Sequence, residues 1–514
     1  MIVPLTLGDF LERAELVYGH REAVVDEPNP PGGGLGRFTY AQFAEMSRSL
    51  AAALDDLGVA ENERVAIVSP NAARFLIALF GVSVFGRILV PINFRLNSEE
   101  IRYIVEHSGS SVLLVDPELD EPLRGLPVQQ RFVLGTATDP QLFLRLGARP
   151  KLAVTDENAT VSINYTSGTT ARPKGVQLTH RGFWLNAVTF GWHLALTERD
   201  VYLHTLPTFH CNGWGMPYAL TAMGVRQVVI RKIDGEDILK RVEAEGVTLF
   251  NCAPAVIAAV LDAAAARRQK GAAVPGRGRV RVVIAGAPPP SKTIERIEAE
   301  LGWEFIQIYG LTETSPLLTF NRAPAEWDGL DAAERARRLS RAGVPAVGVR
   351  MRVNDEGEVL ARSNHVFEGY WNQPEETSKA IADGWFHTGD GGYTDGPYVA
   401  ISDRKKDVII TGGENVSSIE VEDCLYQHPA VAEVAVIGVP DEKWGETIKA
   451  LVVLRPGAAA TERDLIDHCR SRMAHYKCPT SVELRDALTR TATGKLQKFK
   501  LREPYWAGRA RRVN

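Results

Sequence analysis

Residues 165–176 read YTSGTTARPKGV, a segment that crowds together five hydroxyls (Tyr165, Thr166, Ser167, Thr169, Thr170), two glycines (Gly168, Gly175) and two cations (Arg172, Lys174). Hydroxyls and backbone N–H groups donate hydrogen bonds to anionic oxygens. Glycines let those oxygens approach, and a lysine adds charge, so this is the chemistry of a phosphate cradle. Val161–Tyr165 alternates like a strand ahead of it, and Val176–Phe190 reads as a helix behind it. The G-x-x-x-x-G-K-[ST] loop of NTPases has the glycine-to-lysine spacing of Gly168 and Lys174. Here Pro173 stands at its second glycine and Gly175 at its Ser or Thr. Proline fixes φ and removes an N–H donor, so this backbone cannot wrap a phosphate in the same way. It is a nucleotide loop of another kind.

The elements that must position this loop follow a strand–helix rhythm. Residues 8–17 read as a short amphipathic helix, 22–26 as a strand, and the proline- and glycine-rich 28–36 as a loop. Phe43, Met46, Leu50, Leu54 and Leu57 then keep helical spacing up to Gly58. Residues 65–68 form a short strand, 72–85 a helix and 88–91 a strand. Asn97, with Glu100 three residues on, opens a helix over 99–107 as a capping box, and 111–116 is the next strand. The rhythm returns between 181 and 310, with strands near 201–205, 228–231, 249–253, 280–285 and 304–309. Such alternation predicts parallel sheets flanked by helices, here in two βα-layered subdomains. After residue 340, short alternating strands at 351–363 and 393–401 suggest a small β-barrel-like subdomain. Beyond a charged junction, roughly 110 residues of mixed character have the size of a separate small domain. The expected class is α/β, with a large N-terminal domain over 1–402, a junction at 403–406 and a small α+β domain over 407–514.

Bulk properties narrow the function. Of 514 residues, 45% are apolar and 24% charged, the balance of an ordinary globular chain. A net charge of −4 makes no electrostatic case for a nucleic-acid or anionic-membrane partner. Cys211, Cys252, Cys424, Cys469 and Cys478 are far apart in sequence and form no C-x-x-C pair. That argues against a zinc site or disulfide framework and fits a reducing cytoplasm. The start, MIVPLTLGDFLERAEL, has neither the basic beginning nor the long apolar core of a signal peptide. The longest apolar run, 75–85, is too short to span a bilayer, leaving peripheral contact as the most a membrane could offer.

Four further segments follow the loop in order: QIYGLTET at 307–314, GWFHTGD at 384–390, SDRKKDVIITGGENVSSIEVE at 402–422 and TATGKLQK at 491–498. Together with YTSGTTARPKGV they resemble, over nearly the whole chain, the adenylate-forming superfamily of acyl-CoA synthetases, peptide-synthetase adenylation domains and luciferases. The resemblance implies ATP, Mg2+ and coenzyme A, and a C-terminal domain that moves. Thr166, Ser167, Gly168, Thr169, Thr170 and Lys174 match the phosphate loop, with Ala171 where glycine is usual. Gln307, Tyr309, Gly310 and Thr312 match the segment around adenine and the α-phosphate, and Gly286, Ala287 and Pro288 the segment beside adenine and the acyl carboxyl. Glu313 matches the magnesium ligand, with Thr166 beside it. A carboxylate among phosphates repels them unless a divalent cation bridges the two. Taken alone, Thr312 and Glu313 read equally well as a helix start. Asp390 and Arg404 match the ribose contacts. Lys495 matches the catalytic lysine that meets the reacting carboxylate and α-phosphate. Lys406 matches the hinge, and Gly412 and Gly413 the segment that lines the thiol channel after the domain turns.

For the acid, Phe209-His210-Cys211-Asn212-Gly213-Trp214 resembles the aromatic–histidine motif beside the acyl group. By that resemblance His210 borders the carboxylate, with a catalytic role, and Trp214 gates an acyl tunnel, with Gly310 beside the acyl group. Small and apolar residues near 208–220 and 250–260 suit an apolar chain. The implied reaction is a carboxylic acid plus ATP giving acyl-AMP and pyrophosphate, then coenzyme A giving acyl-CoA and AMP. The implied acid is a medium- or long-chain fatty acid. An aryl-acid:CoA ligase, a fatty acyl-AMP ligase that loads an acyl carrier protein, and a nucleotide-binding protein without catalysis stay open beside it, as does a homodimer.

Overall fold

The computed structural model describes residues 1–166, 173–286, 289–404, 407–411, 414–441, 444–490 and 496–507. Two large sheets face each other across one apolar core. In the seven-stranded sheet, Arg64–Val68, Ile88–Ile92, Ser110–Val115 and Gln130–Val133 run parallel. Thr160–Thr166 joins them in parallel and then pairs antiparallel with Lys174–Thr179. In the nine-stranded sheet, six parallel strands run from Glu304–Gly310 through Arg281–Ile284, Leu249–Cys252, Val201–His204 and Arg226–Val229 to Glu22–Val25. Antiparallel strands close both of its edges.

These strands are apolar on both faces because both faces are covered. Val65 and Ile67 enter the core shared by the two sheets, whereas Ala66 and Val68 enter a second cluster on the far side. A parallel sheet buried in this way gives continuous apolar runs in place of alternation, as the chain shows at 64–68 and 281–284. The helix Ser98–Ser108 starts at the expected capping box, where Asn97 and Glu100 exchange side-chain-to-backbone hydrogen bonds of 2.9 Å.

Two local expectations change. The helix expected from Val176 begins only at His180. Lys174–Thr179 is a strand whose Val176 and Leu178 enter the core, and Thr179 Oγ1 caps the helix His180–Leu194 by accepting from Gly182 N at 3.0 Å. Antiparallel strands thus stand on either side of the phosphate-loop segment, and the helix follows only after the second of them. The small β subdomain is an open sheet and not a barrel. Arg350–Val353, Glu358–Arg362, Trp385–Asp395 and Ile381–Ala382 pair in that order, and Tyr398–Arg404 pairs with Trp385–Asp395. Val399 bridges outward to Gly343, so the sheet does not close on itself.

The C-terminal region has its own five-stranded sheet, built from Ile409–Thr411, Glu414–Val416, Val431–Asp441, Gly445–Leu454 and Ser481–Leu484, and its own core. Cys424, Cys469 and Cys478, distant in sequence, share that core as free thiols. This region touches the rest of the chain where the Asp423 carboxylate accepts from Ser291 N at 3.0 Å and Ser291 Oγ at 3.2 Å.

Candidate active site

The antiparallel pair sets Thr166 opposite Lys174, with Tyr165 opposite Gly175 one step further from the loop segment. Lys174 therefore projects at the base of the loop. Its Nζ lies 2.6 Å from Glu376 Oε2 and 4.8 Å above the Tyr370 ring. Lys174, then Lys379, pull the Glu376 carboxyl down to about 2 by hydrogen bonding and charge. Tyr370 in turn donates its hydroxyl to Glu313 Oε1 at 2.9 Å. Burial, reinforced by the Glu313 charge, raises that phenol far above its usual range, so it remains a donor. Lys174 and Glu313, which come from different sheets, thus meet through one aromatic side chain. Backbone bonds hold the arrangement: Phe367 N donates to Glu313 O at 2.7 Å, and Trp371 N to Gly175 O at 2.7 Å.

A second group forms where Glu304–Gly310 ends. Tyr309 Oη donates to Asp390 Oδ2 at 2.7 Å, joining the residues expected at adenine and ribose. Asp390 is buried, and its own N–H is held by Thr388 Oγ1 at 3.1 Å. Glu358 braces the same turn by accepting from Gly389 N at 3.0 Å and His387 Nδ1 at 3.2 Å. The Arg404 backbone pairs with that of Asp390. Gln307 is buried two residues before Tyr309, and its Oε1 has no partner among the described residues. An open buried acceptor beside an aromatic ring and a carboxylate fits an adenosine, which offers an amino group, a flat ring and two hydroxyls. Gly310 explains itself by close approach, since a Cβ there would stand 1.6 Å from Pro316 O.

The segment assigned to the acid has a backbone that its residue types announce only in part. Cys211, Asn212, Gly213, Trp214 and Gly215 all have positive φ, between 37° and 71°. This is a left-handed turn, which costs roughly 1–2 kcal/mol for each of its three non-glycine residues. Its surroundings hold it in place. Asn212 Nδ2 donates to Tyr218 Oη at 3.0 Å and Ser162 Oγ at 3.2 Å, and Asn186 Nδ2 to Trp214 O at 3.4 Å. Trp214 is 4% exposed, while His210 stays partly exposed at the head of the turn. Burial and the neighbouring Glu313 raise the Cys211 thiol, which leaves it a packing group and not a nucleophile.

The structure thus brings together Thr166, Lys174, Gln307, Tyr309, Gly310, Thr312, Glu313 and Asp390, with Gly286 exposed at the end of the neighbouring strand. Ser167, Gly168, Thr169, Thr170, Ala287, Pro288, Lys406, Gly412, Gly413 and Lys495 lie outside the described residues. Sequence reasoning missed Tyr370, Glu376 and Glu358. The first two stand in GYWNQPEE at 369–376, an aromatic and acidic run that nothing nearby tied to the loop.

Comparison with known proteins agrees with this geometry. Residues 11–371 match the AMP-binding enzyme family, and residues 420–495 match the AMP-binding enzyme C-terminal domain. The chain is 36% identical to 4-hydroxybutyrate–CoA ligase 2 of Metallosphaera sedula, over 96% of this chain and 93% of that one. It is also 36% identical to 2-methylpropanoate–CoA ligase CCL4 of Humulus lupulus, over 97% and 95%. Among solved structures, o-succinylbenzoate coenzyme A synthetase of Bacillus subtilis, in complex with ATP and magnesium ion, superposes with a TM-score of 0.80 at 27% identity, covering 96% of this chain and 99% of that one. The chain belongs to the AMP-binding enzyme family and is one of its AMP-forming acid–thiol ligases.

Proposed function

We propose that this protein joins a short-chain acid of about butyrate size to coenzyme A through an acyl-adenylate, using Mg2+ in the first step. The observation that carries the adenylation chemistry is the meeting of Lys174, Tyr370 and Glu313 beside the Tyr309–Asp390 pair. The Glu313 carboxylate and the Thr166 hydroxyl are oxygen donors of the kind a hard cation takes; Thr166 stands opposite Lys174, and Glu313 is tied to Lys174 through Tyr370. A magnesium ion held there would offset the charge of the triphosphate. Lys174 would exchange Glu376 for phosphate oxygens, and the Tyr370 hydroxyl keeps one Glu313 oxygen aimed. The Tyr309 ring and the Asp390 carboxylate would seat the adenosine.

A carboxylic acid is already ionised near pH 7, so no residue has to remove its proton. The chain's contribution is orientation and charge neutralisation, with Lys495 meeting the carboxylate and the α-phosphate. A C-terminal domain over 407–514, turning about Lys406, would then replace Lys495 by Gly412 and Gly413 at the thiol's entry.

Two observations support a short acid over the medium- or long-chain fatty acid that the motifs suggest. Trp214, which the motif resemblance sets at the acyl tunnel, is buried and pinned in its left-handed turn, a poor starting point for a gate that must swing aside for a long chain. The two curated relatives compared above are named for acids of butyrate size. The test is a ladder of acids from acetate to decanoate, with benzoate, ATP and coenzyme A, scored by kcat/KM. A maximum near butyrate supports the proposal. A maximum at decanoate restores the fatty-acid reading, one at benzoate the aryl-acid reading, and adenylate without thioester favours transfer to a carrier protein.

A further inference from the structure

Behind the Glu313 turn lies a buried polar pair that the reaction does not use. Both ring nitrogens of His365 and the Oγ of Ser315 lack a hydrogen-bond partner among the described residues, although the two residues are only 2% and 1% exposed. They flank one point in the structure. A Cβ on Gly182 would stand 3.0 Å from Ser315 Oγ, 3.3 Å from Thr179 Oγ1 and 3.8 Å from the His365 Cα. A side chain at Gly182 would fill the space between the Ser315 hydroxyl and the His365 backbone.

Both residues are tied to the turn that carries Glu313. Ser315 closes it, donating N–H to Thr312 O at 3.2 Å from a backbone with φ of 67°. Phe367, two residues past His365, donates its N–H to Glu313 O at 2.7 Å. Buried polar atoms are almost always satisfied, by protein or by an ordered water that makes about three bonds. A neutral imidazole offers one donor and one acceptor, and a serine hydroxyl offers both. Burial holds His365 in that neutral form, with its pKa lowered to about 4.

We propose that His365 and Ser315 share one internal water, and that this buried unit positions the Glu313 turn for its magnesium ion. The inference rests on the reading of Glu313 as a magnesium ligand. His365 is then a positioning residue, acting through the turn and not on the substrate. Partners that orient a metal ligand typically change ion affinity by about 10- to 100-fold when removed.

The test compares wild type with His365→Leu, His365→Gln and Ser315→Ala. Two readings are taken: the Mg2+ dependence of ATP–pyrophosphate exchange, and the calorimetric affinity for Mg2+ with α,β-methylene-ATP, which involves no turnover. His365→Leu should raise the half-saturating Mg2+ concentration about tenfold and weaken the calorimetric affinity likewise. His365→Gln should recover most of both. Thioester formation from supplied acyl-AMP should stay within about twofold of wild type, since that step does not use the ion. Ser315→Ala should shift the Mg2+ curve in the same direction by less, and it carries the test if His365→Leu fails to fold. An unmoved Mg2+ curve in both variants overturns the inference, as does equal loss in the two half-reactions. A crystal structure with no ordered water between the imidazole and the hydroxyl overturns it too. Absence of exchange in the wild type with every acid would instead defeat the proposed function itself.

Discussion

At the scale of single residues, the site is a problem of bringing anions together. Lys495 should matter most in the first half-reaction, where carboxylate and α-phosphate meet. Lys495→Ala is expected to slow adenylate formation by a factor on the order of 10²–10³ while sparing thioester formation from supplied acyl-AMP. Equal loss in both half-reactions would show that the lysine does something else. Glu376 makes the opposite prediction. It holds Lys174 at 2.6 Å, so ATP must compete with it for the lysine. Exposed ion pairs are weak, and Glu376→Gln should therefore lower the KM for ATP by no more than about fivefold, leaving kcat near wild type. A raised KM would mean that Glu376 aims the lysine instead of detaining it. Neither Glu376 nor Tyr370 was legible in the sequence, because their meaning comes from partners distant in the chain: Lys174 lies 202 residues from Glu376, and Glu313 57 residues from Tyr370. Lys174, Glu313 and Asp390 stood out in the sequence by their places in motifs, and in the structure Lys174 and Glu313 meet at Tyr370 while Asp390 meets Tyr309.

At the scale of elements, the close packing of Glu304–Gly310 against the turn that follows it sets the spacing of Tyr309 and Thr312. Gly310→Ala puts a methyl group 1.6 Å from Pro316 O, a contact only a backbone shift can relieve. The variant should lose about 3 kcal/mol of stability or more and bind ATP poorly, as denaturant unfolding and ATP titration would report. Wild-type behaviour in both would mean that the strand end is looser than it stands here. The parallel strands were readable because burial on both faces leaves continuous apolar runs, and the helix Ser98–Ser108 because both halves of its capping box are local. The stretch after Val176 was misread because Val176 and Leu178 fit either a strand or the start of a helix. Only pairing with Thr160–Thr166 decides between them. The left-handed turn at 211–215 had only a partial sequence signal, since Asn212, Gly213 and Gly215 favour positive φ but Cys211 and Trp214 do not. Its energy comes from Asn186, Ser162 and Tyr218, which lie elsewhere in the chain.

At the scale of the molecule, two sheets enclose a common core, and Lys174 on a strand of one is joined through Tyr370 to the Glu313 turn beside the other. Three histidines belong to the interior of this body. Burial lowers His180, His204 and His365 to about 4, against opposing influences from Asp156 on His180 and Gln227 on His204. Each is neutral when folded and takes a proton near 6.5 when unfolded, so the unfolded state binds more protons between those values. Stability should therefore fall as pH drops from 6.5 towards 4, by up to about 1.4 kcal/mol per pH unit for each histidine. The stretch from pH 6.5 to 5 is the cleanest window, because ordinary carboxylates stay ionised there. Urea unfolding at pH 7, 6 and 5 measures it, and His365→Gln should reduce the slope. A flat profile would mean that these imidazoles reach solvent. The two-part organisation was visible in the sequence as a charged junction at 402–406 followed by a stretch of mixed α/β character with the size of a small domain. The open form of the small sheet was not, because short alternating strands look alike whether or not their edges close.

The central claim is that the acid's own oxygen attacks the α-phosphate of ATP and leaves with AMP when coenzyme A takes the acyl group. Butyrate labelled with oxygen-18 in its carboxylate, supplied with ATP, Mg2+ and coenzyme A, tests this directly by mass spectrometry of the products. The account predicts butyryl-CoA together with AMP that carries one labelled oxygen, and unlabelled pyrophosphate. Unlabelled AMP, or ADP with labelled inorganic phosphate, would contradict it.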